Sequence, residues 1–150
     1  MARTPSNMVK LGTLAPNFEL LNTTNDELVS SEHIFNKNGT IVMFICNHCP
    51  FVIHVLDEII SISNKFKDEI SFVAISSNDI VNYPQDSPDL MKKLALEKKI
   101  SFLLFKEIRL KYLVILDSCS FFIRILLDGE NIKRVGSKVN VIIKEVIKPK

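Results

Sequence analysis

The chain has 150 residues, 47% of them hydrophobic, with 19 Lys and Arg against 17 Asp and Glu for a formal net charge of +2. That composition excludes a disordered tail, and the length suits one domain that buries roughly two thirds of its unfolded surface. No apolar run reaches the roughly 18 residues of a membrane span, and the start, Met1-Ala2-Arg3-Thr4-Pro5, lacks an apolar signal segment, so a soluble cytoplasmic protein with no membrane contact is expected.

The charge is unevenly spread. Residues 1–100 hold 9 Lys and Arg against 12 Asp and Glu, a net of −3, whereas residues 101–150 hold 10 against 5, a net of +5. The basic residues of the tail are scattered singly among Val and Ile without an aromatic platform, so no nucleic-acid partner is expected. Of 3 cysteines, a close pair in a chain without a signal segment favours a catalytic dithiol or a metal site over a disulfide framework.

In chain order, residues 1–10 read as a loose arm and residues 11–150 as a single domain. Residues 14–21 alternate apolar and polar positions and predict a short edge strand, where Pro16 near the start is tolerated. Residues 22–26 are rich in Asn and Thr and end on Asp26, which predicts a turn into a second hairpin strand over residues 27–30. Ser31 is the candidate cap of a brief helical turn reaching Phe35, and residues 36–39 break the chain.

Ile41-Val42-Met43-Phe44-Ile45 is an unbroken apolar run and predicts a strand buried on both faces, since a sheet with one wet face would alternate. Beyond it, Phe51, Val52, Val55, Leu56, Ile59, Ile62 and Phe66 recur at helical steps, so a helix of about four turns follows. Pro50 suits its first turn, where the missing N–H costs nothing. After a charged connection over residues 65–69, Ile70-Ser71-Phe72-Val73-Ala74-Ile75 is a second buried strand. Strand, helix and strand then form a parallel unit with a right-handed crossover, and the fold class is α/β, a central mixed sheet flanked by helices.

Ser76-Ser77-Asn78-Asp79 leaves the carboxyl end of that strand, on the same edge as Cys46, where sites form in open α/β sheets. Residues 83–88 read as an extended, proline-stiffened loop, with Ser87 and Pro88 starting a helix that runs to about Lys99. Residues 101–105 and 119–127 read as strands, Asp128-Gly129 as a turn into residues 132–135, and residues 139–147 as a strand or a helix. The ten phenylalanines are assigned to the core.

Cys46-Asn47-His48-Cys49-Pro50 joins the first buried strand to the helix. Sulfurs in that position lie near backbone N–H groups and a helix dipole that stabilise a thiolate, which is a reason for redox chemistry. A structural zinc would draw on Cys46, Cys49, His48 and His54, but His54 is poorly spaced to converge on the same ion, and there is no second Cys-x-x-Cys. A copper carrier using soft thiolates is the other metal reading. No metal is expected. His33 and His54 read as surface residues and Cys119 as an inert core thiol. Asn78 and Asp79 either cap their loop, or the aspartate serves the dithiol as a buried proton acceptor.

These motifs resemble the thioredoxin-like branch of the peroxiredoxin and alkyl hydroperoxide reductase superfamily. The residues that carry the likeness are Gly12-Thr13-Leu14-Ala15-Pro16-Asn17-Phe18-Glu19-Leu20, the run from Val42 through the dithiol to Val52, and Asn78-Asp79 followed by Tyr83-Pro84-Gln85-Asp86-Ser87-Pro88. The resemblance implies a thioredoxin fold and thiol-dependent reduction of disulfides or peroxides. It makes Cys46 the attacking thiolate and Cys49 the resolving thiol, with Asn47, His48, Pro50, Asn78 and Asp79 in support. A Cys46 pKa lowered from about 8.5 to roughly 3.5–7.5 is expected at a helix start, with His48 stabilising the thiolate or carrying a proton. The implied partners are an external thiol reductant, thioredoxin or glutathione, and a peroxide or protein disulfide substrate. No bound cofactor is implied.

The likeness covers about residues 11–102. No proline lies between Pro88 and Pro149, so the cis-proline that this fold sets opposite the dithiol is missing. Phe105 to Leu113 is apolar and basic without clean periodicity. The abrupt stop, where the charge balance reverses, leads to the hypothesis of a shifted reading frame near residue 102 and a sheet without its closing strands, and makes an inactive, truncated chain an alternative to the oxidoreductase reading.

Overall fold

A computed structural model describes residues 12–35, 38–106, 123–128 and 131–136, the last two segments by their backbone. Strands β1 (Glu19–Asn22) and β2 (Leu28–Ser30) form the expected antiparallel hairpin, Leu20 opposite Val29. Asn22 closes its turn: its N–H donates to the Glu27 carbonyl, and its Oδ1 accepts the Thr24 N–H at 3.2 Å and hydroxyl at 2.8 Å. The expected edge strand over residues 14–21 is corrected. β1 begins after Pro16 and lies inside the sheet, paired on its far side with β5 (Leu103–Lys106), because a strand with two neighbours cannot spare the N–H that proline lacks.

Ser30, not Ser31, caps the short 3-10 turn Ser31–His33 by accepting the Glu32 N–H. Ser31 is buried instead, and its hydroxyl accepts the Phe18 N–H at 3.1 Å, which ties this turn to the segment before β1.

Strand β3 (Thr40–Phe44) is buried along its whole length, as the apolar run predicts. Ile41 and Met43 pack with Leu56, Ile59 and Ile60 of helix α1 (Pro50–Phe66) and with Met91 and Ala95 of helix α2 (Pro88–Glu97). Val42 and Phe44 join Phe18, Ile34, Val73, Ile75 and Phe105 on the opposite face. Each large apolar side chain buried this way contributes about 1.5–3 kcal/mol, so β3 is the spine of both layers.

On α1 the buried stripe is Val52, Leu56, Ile59, Ile60 and Ser63, and the helix extends through Lys65 and Phe66. Phe51 is 69% exposed, which corrects its assignment to the core: one residue before Val52, it is turned about 100° from the buried face.

Strand β4 (Ser71–Ser76) runs parallel to β3 with Val73 opposite Val42, and β5 runs parallel to β4. The segment after β4 is not extended throughout. Pro84–Asp86 forms a 3-10 turn in which the Asp86 and Ser87 N–H groups donate back to the Tyr83 and Pro84 carbonyls, with proline at its first position.

Among the described residues, strands β6 (Ile123–Asp128) and β7 (Asn131–Gly136) bring the sheet to seven strands in the order β2-β1-β5-β4-β3-β6-β7. β6 lies antiparallel to β3, Ile125 opposite Val42. The expectation of a sheet without closing strands is therefore corrected. A strand as buried as β3 needs ladder partners on both sides for its N–H and C=O groups, and β4 and β6 supply them. The arm over residues 1–10, Cys119 and residues 139–147 lie outside the described residues. No helix among the described residues is long and apolar enough to cross a membrane.

Candidate active site

β3 delivers the dithiol to the carboxyl rim of the sheet. Past its end the Ile45 N–H still donates to the Ile75 carbonyl at 3.1 Å, so the chain leaves β3 clamped against β4. Cys46, Asn47 and His48 form the turn. Cys49 is the N-cap of α1, its carbonyl accepting the Ile53 N–H at 3.0 Å, and Pro50 follows as the first helical residue. Cys46 is half-buried, Cys49 is buried, and both are free thiols.

The turn is organised by a carboxylate 39 positions on from Asn47 in the chain. Asp86, 0% exposed, accepts the Asn47 N–H on Oδ1 at 2.7 Å and the Asn78 side-chain amide on Oδ2 at 2.8 Å. The same Oδ2 lies 2.8 Å from His48 Nδ1. The Asn47 amide donates to the Gln85 carbonyl at 3.0 Å, and the His48 ring stacks on Tyr83 with centroids 4.7 Å and planes 3° apart. Three separate segments, the dithiol turn, the loop after β4 and the 84–86 turn, thus meet on one buried anion. Beneath them Lys106, 5% exposed at the end of β5, donates its ammonium to the Asn78 carbonyl.

Burial first, and the Asp86 carboxylate second, push the Cys46 thiol up from 9.0 to about 11, against hydrogen bonds from the Cys49 backbone and the Asn78 side chain that lower it. This corrects the expectation of a lowered thiol. The helix begins at Pro50, so Cys49 and not Cys46 holds the cap, and the favourable end of a helix dipole fades within the first turn. Partial burial and a neighbouring anion both oppose a second negative charge.

Of the residues singled out in the sequence, Cys46, Asn47, His48, Cys49 and Asn78 are brought together, with Pro50 exposed beside them. Asp79 is exposed, and its carboxylate accepts the Val81 N–H at 2.8 Å and the Asn82 amide at 2.6 Å, bonds that hold it below the usual carboxylate value. Of its two readings the geometry carries the loop cap. The buried carboxylate is Asp86, which sequence reasoning took for part of a loop. Its signal was a carboxylate in a proline-flanked turn leading into a helix at the same sheet edge. His33 and His54 are exposed, as expected.

Donor atoms of Cys46, His48 and Asp86 lie within 4.8 Å of one another. Three donors are one short of the tetrahedral protein set that a structural zinc takes, and His54 is not among the converging side chains. Beside Cys46 an apolar pocket of about 80 Å³ is lined by Ile45, Val52, Ile53, Leu56, Leu94 and Leu104.

No protein-family model matches the chain, and no curated protein does. Among solved structures, an uncharacterized conserved protein from Geobacillus kaustophilus is 36% identical, with a TM-score of 0.85 over 91% of this chain and 73% of that one. A thiol:disulfide interchange protein from Bacteroides sp. is 18% identical, with a TM-score of 0.77 over 95% of this chain and 93% of that one. A peroxidoxin from Mycobacterium tuberculosis is 14% identical, with a TM-score of 0.70 over 87% of this chain and 86% of that one. At such low identity the last two show the fold. The chain belongs to one family with the conserved Geobacillus kaustophilus protein, and its fold is the thioredoxin-like one that thiol:disulfide interchange proteins and a peroxidoxin share.

Proposed function

We propose that this chain is a thiol oxidoreductase that reduces disulfides or peroxides through Cys46 and Cys49. The observation that carries the reading is the placement of two free thiols at the carboxyl rim of parallel strands, Cys46 half-buried in the turn and Cys49 buried at the head of α1. The more accessible Cys46 attacks, and the buried Cys49 resolves.

With a disulfide, the Cys46 thiolate forms a mixed disulfide and expels one thiolate; Cys49 then attacks Cys46, expels the second, and leaves an intramolecular disulfide. With a peroxide, the Cys46 thiolate attacks one oxygen, the O–O bond breaks and the other oxygen leaves as an alcohol or water, giving a sulfenic acid with which Cys49 condenses to form the disulfide and release water. An external thiol system, thioredoxin or glutathione in a reducing compartment such as the cytoplasm, returns the pair to the dithiol. The cycle needs no bound cofactor.

The test is a glutathione redox series on the purified chain with free thiols counted at each ratio. Reversible loss of both site thiols is the expected result, and its absence overturns the reading. Metal that stays with the protein through dialysis would instead favour a metal carrier.

A further inference from the structure

Asp86 is fully buried, and its one ion pair among the described residues is with the His48 ring, which carries charge only when protonated. A cation placed there meets a charge that the ring meets in only one of its protonation states. The carboxylate also has room for it. Oδ1 accepts the Asn47 N–H, and Oδ2 meets the Asn78 amide and His48 Nδ1, three contacts against roughly four lone-pair sites.

Cys46 and His48 reach this carboxylate from the dithiol turn. One donor atom from each of the three residues lies within 4.8 Å of the other two, and with Cys46 half-buried and the His48 side chain 30% exposed, solvent reaches the cluster. Around a tetrahedral zinc ion, with sulfur at about 2.3 Å and nitrogen and oxygen at about 2.0–2.2 Å, the ligand atoms stand roughly 3.3–3.6 Å apart. Side-chain adjustments of about 1 Å therefore close the set on one ion. Cys49 is not among the converging donors.

We propose that Cys46, His48 and Asp86 form an exchangeable Zn2+ site that switches the dithiol off: the ion takes Cys46 Sγ, a nitrogen of the His48 ring and an Asp86 oxygen, with water as its fourth ligand. The inference rests on the dithiol reading above, since it is the attacking sulfur that the ion occupies.

The donor chemistry selects the metal. One thiolate, one imidazole and one carboxylate mix soft and hard ligands, which suits Zn2+ better than Cu(I), a seeker of sulfur, or Ca2+ and Mg2+, seekers of oxygen. Charge balances too, a thiolate and a carboxylate against two positive charges. Binding forms three protein–metal bonds and sends the Cys46 thiol proton to solvent, with no electron transferred. Three protein ligands and a water leave the ion open to exchange, unlike the closed set of a structural zinc. While it is bound, Cys46 cannot attack; once it leaves, the dithiol is intact.

The test uses the reduced whole chain with Zn2+ and, for its spectrum, Co2+. One Co2+ per chain is expected, with a charge-transfer band from a single thiolate. Cys49→Ser keeps that band and Cys46→Ser abolishes it. Asp86→Asn and His48→Gln each weaken Co2+ binding by at least about 10–100-fold, the loss typical even of residues that only support a ligand. Zn2+ at about ten times its Kd slows both alkylation of Cys46 and its reaction with oxidised glutathione about tenfold, by mass action, and dialysis restores both. A band that disappears in Cys49→Ser yet stays in His48→Gln overturns the proposal, because the ion then sits between the two sulfurs. So does alkylation that Zn2+ leaves unchanged, a readout on the wild type that decides the matter should Asp86→Asn fail to fold. Reversible thiols in the glutathione series without protection by Zn2+ refute this inference alone. No reversible thiol loss in metal-free buffer refutes the dithiol reading beneath it, and Zn2+ that survives dialysis refutes the exchangeable switch in favour of a carrier.

Discussion

The loop between β4 and α2 carries one aspartate near each end, and the two differ in almost everything but chemistry. Asp79, exposed, spends both oxygens on the next turn of its own loop, taking the Val81 N–H and the Asn82 amide. Asp86, 0% exposed, spends its oxygens on groups far away in the chain, the Asn47 N–H and the His48 ring, and on the Asn78 amide. One carboxylate shapes a loop, and the other joins a loop to the dithiol. Depth of burial separates them, because an anion removed from water must find N–H groups wherever the fold supplies them.

That contrast matters only if the dithiol is where the chemistry happens, so the largest effect expected is on the sulfurs. Cys46→Ser abolishes turnover with oxidised glutathione, while Cys49→Ser stops after the first step and traps a mixed disulfide visible in the intact mass; wild-type rates in both variants would dissolve the comparison. Next, alkylation of Cys46 in the Cys49→Ser background rises about tenfold per pH unit and levels off only near the value of about 11 given by burial and Asp86. A plateau at or below the ordinary 9.0 would show that burial and Asp86 together exert no such pull.

In stability, Asp86→Ala strands three buried or half-buried N–H donors and costs about 3 kcal/mol in urea unfolding. Asn78→Ala removes one of those bonds and costs about 1 kcal/mol. Asp79→Ala ranks last and leaves the Cys46 alkylation profile unchanged. Its acid signature has a definite sign: bonds to Val81 and Asn82 lower the folded pKa below 3.8, so the stabilisation is fully present above 3.8 and disappears as pH falls through the folded value. Urea midpoints of wild type and Asp79→Ala should therefore converge in acid, and a gap that persists there would contradict the loop-cap role.

Much of this was readable from residue patterns. The unbroken run from Ile41 to Ile45 announces a strand covered on both faces, the helical spacing from Val52 to Phe66 announces α1, and the turn between them places the dithiol at the sheet edge. Errors arose where partners are distant. β1 reads as an edge strand in isolation and becomes an interior one because β5 arrives beside it about 80 residues later, a pairing with no local signal. The tail reads as alien to the fold, yet β6 and β7 extend the sheet from β3, since ladder bonds are made by backbone and tolerate side chains of weak periodicity. Phe51 shows the same limit on a helix, where one step of rotation separates core from solvent.

The sequence by itself determined the α/β class, the parallel β3-α1-β4 unit and the position of Cys46 and Cys49 at its carboxyl rim, because periodicity, proline placement and strand length are local properties of the chain. Only the tertiary structure decided which carboxylate faces the sulfurs, which nitrogen of His48 is held, and that Cys46 sits in surroundings that resist its ionisation. Those depend on burial and on charges brought within a few ångströms by segments nearly forty positions apart, and electrostatic energies inside a protein follow distance and depth, not order along the chain.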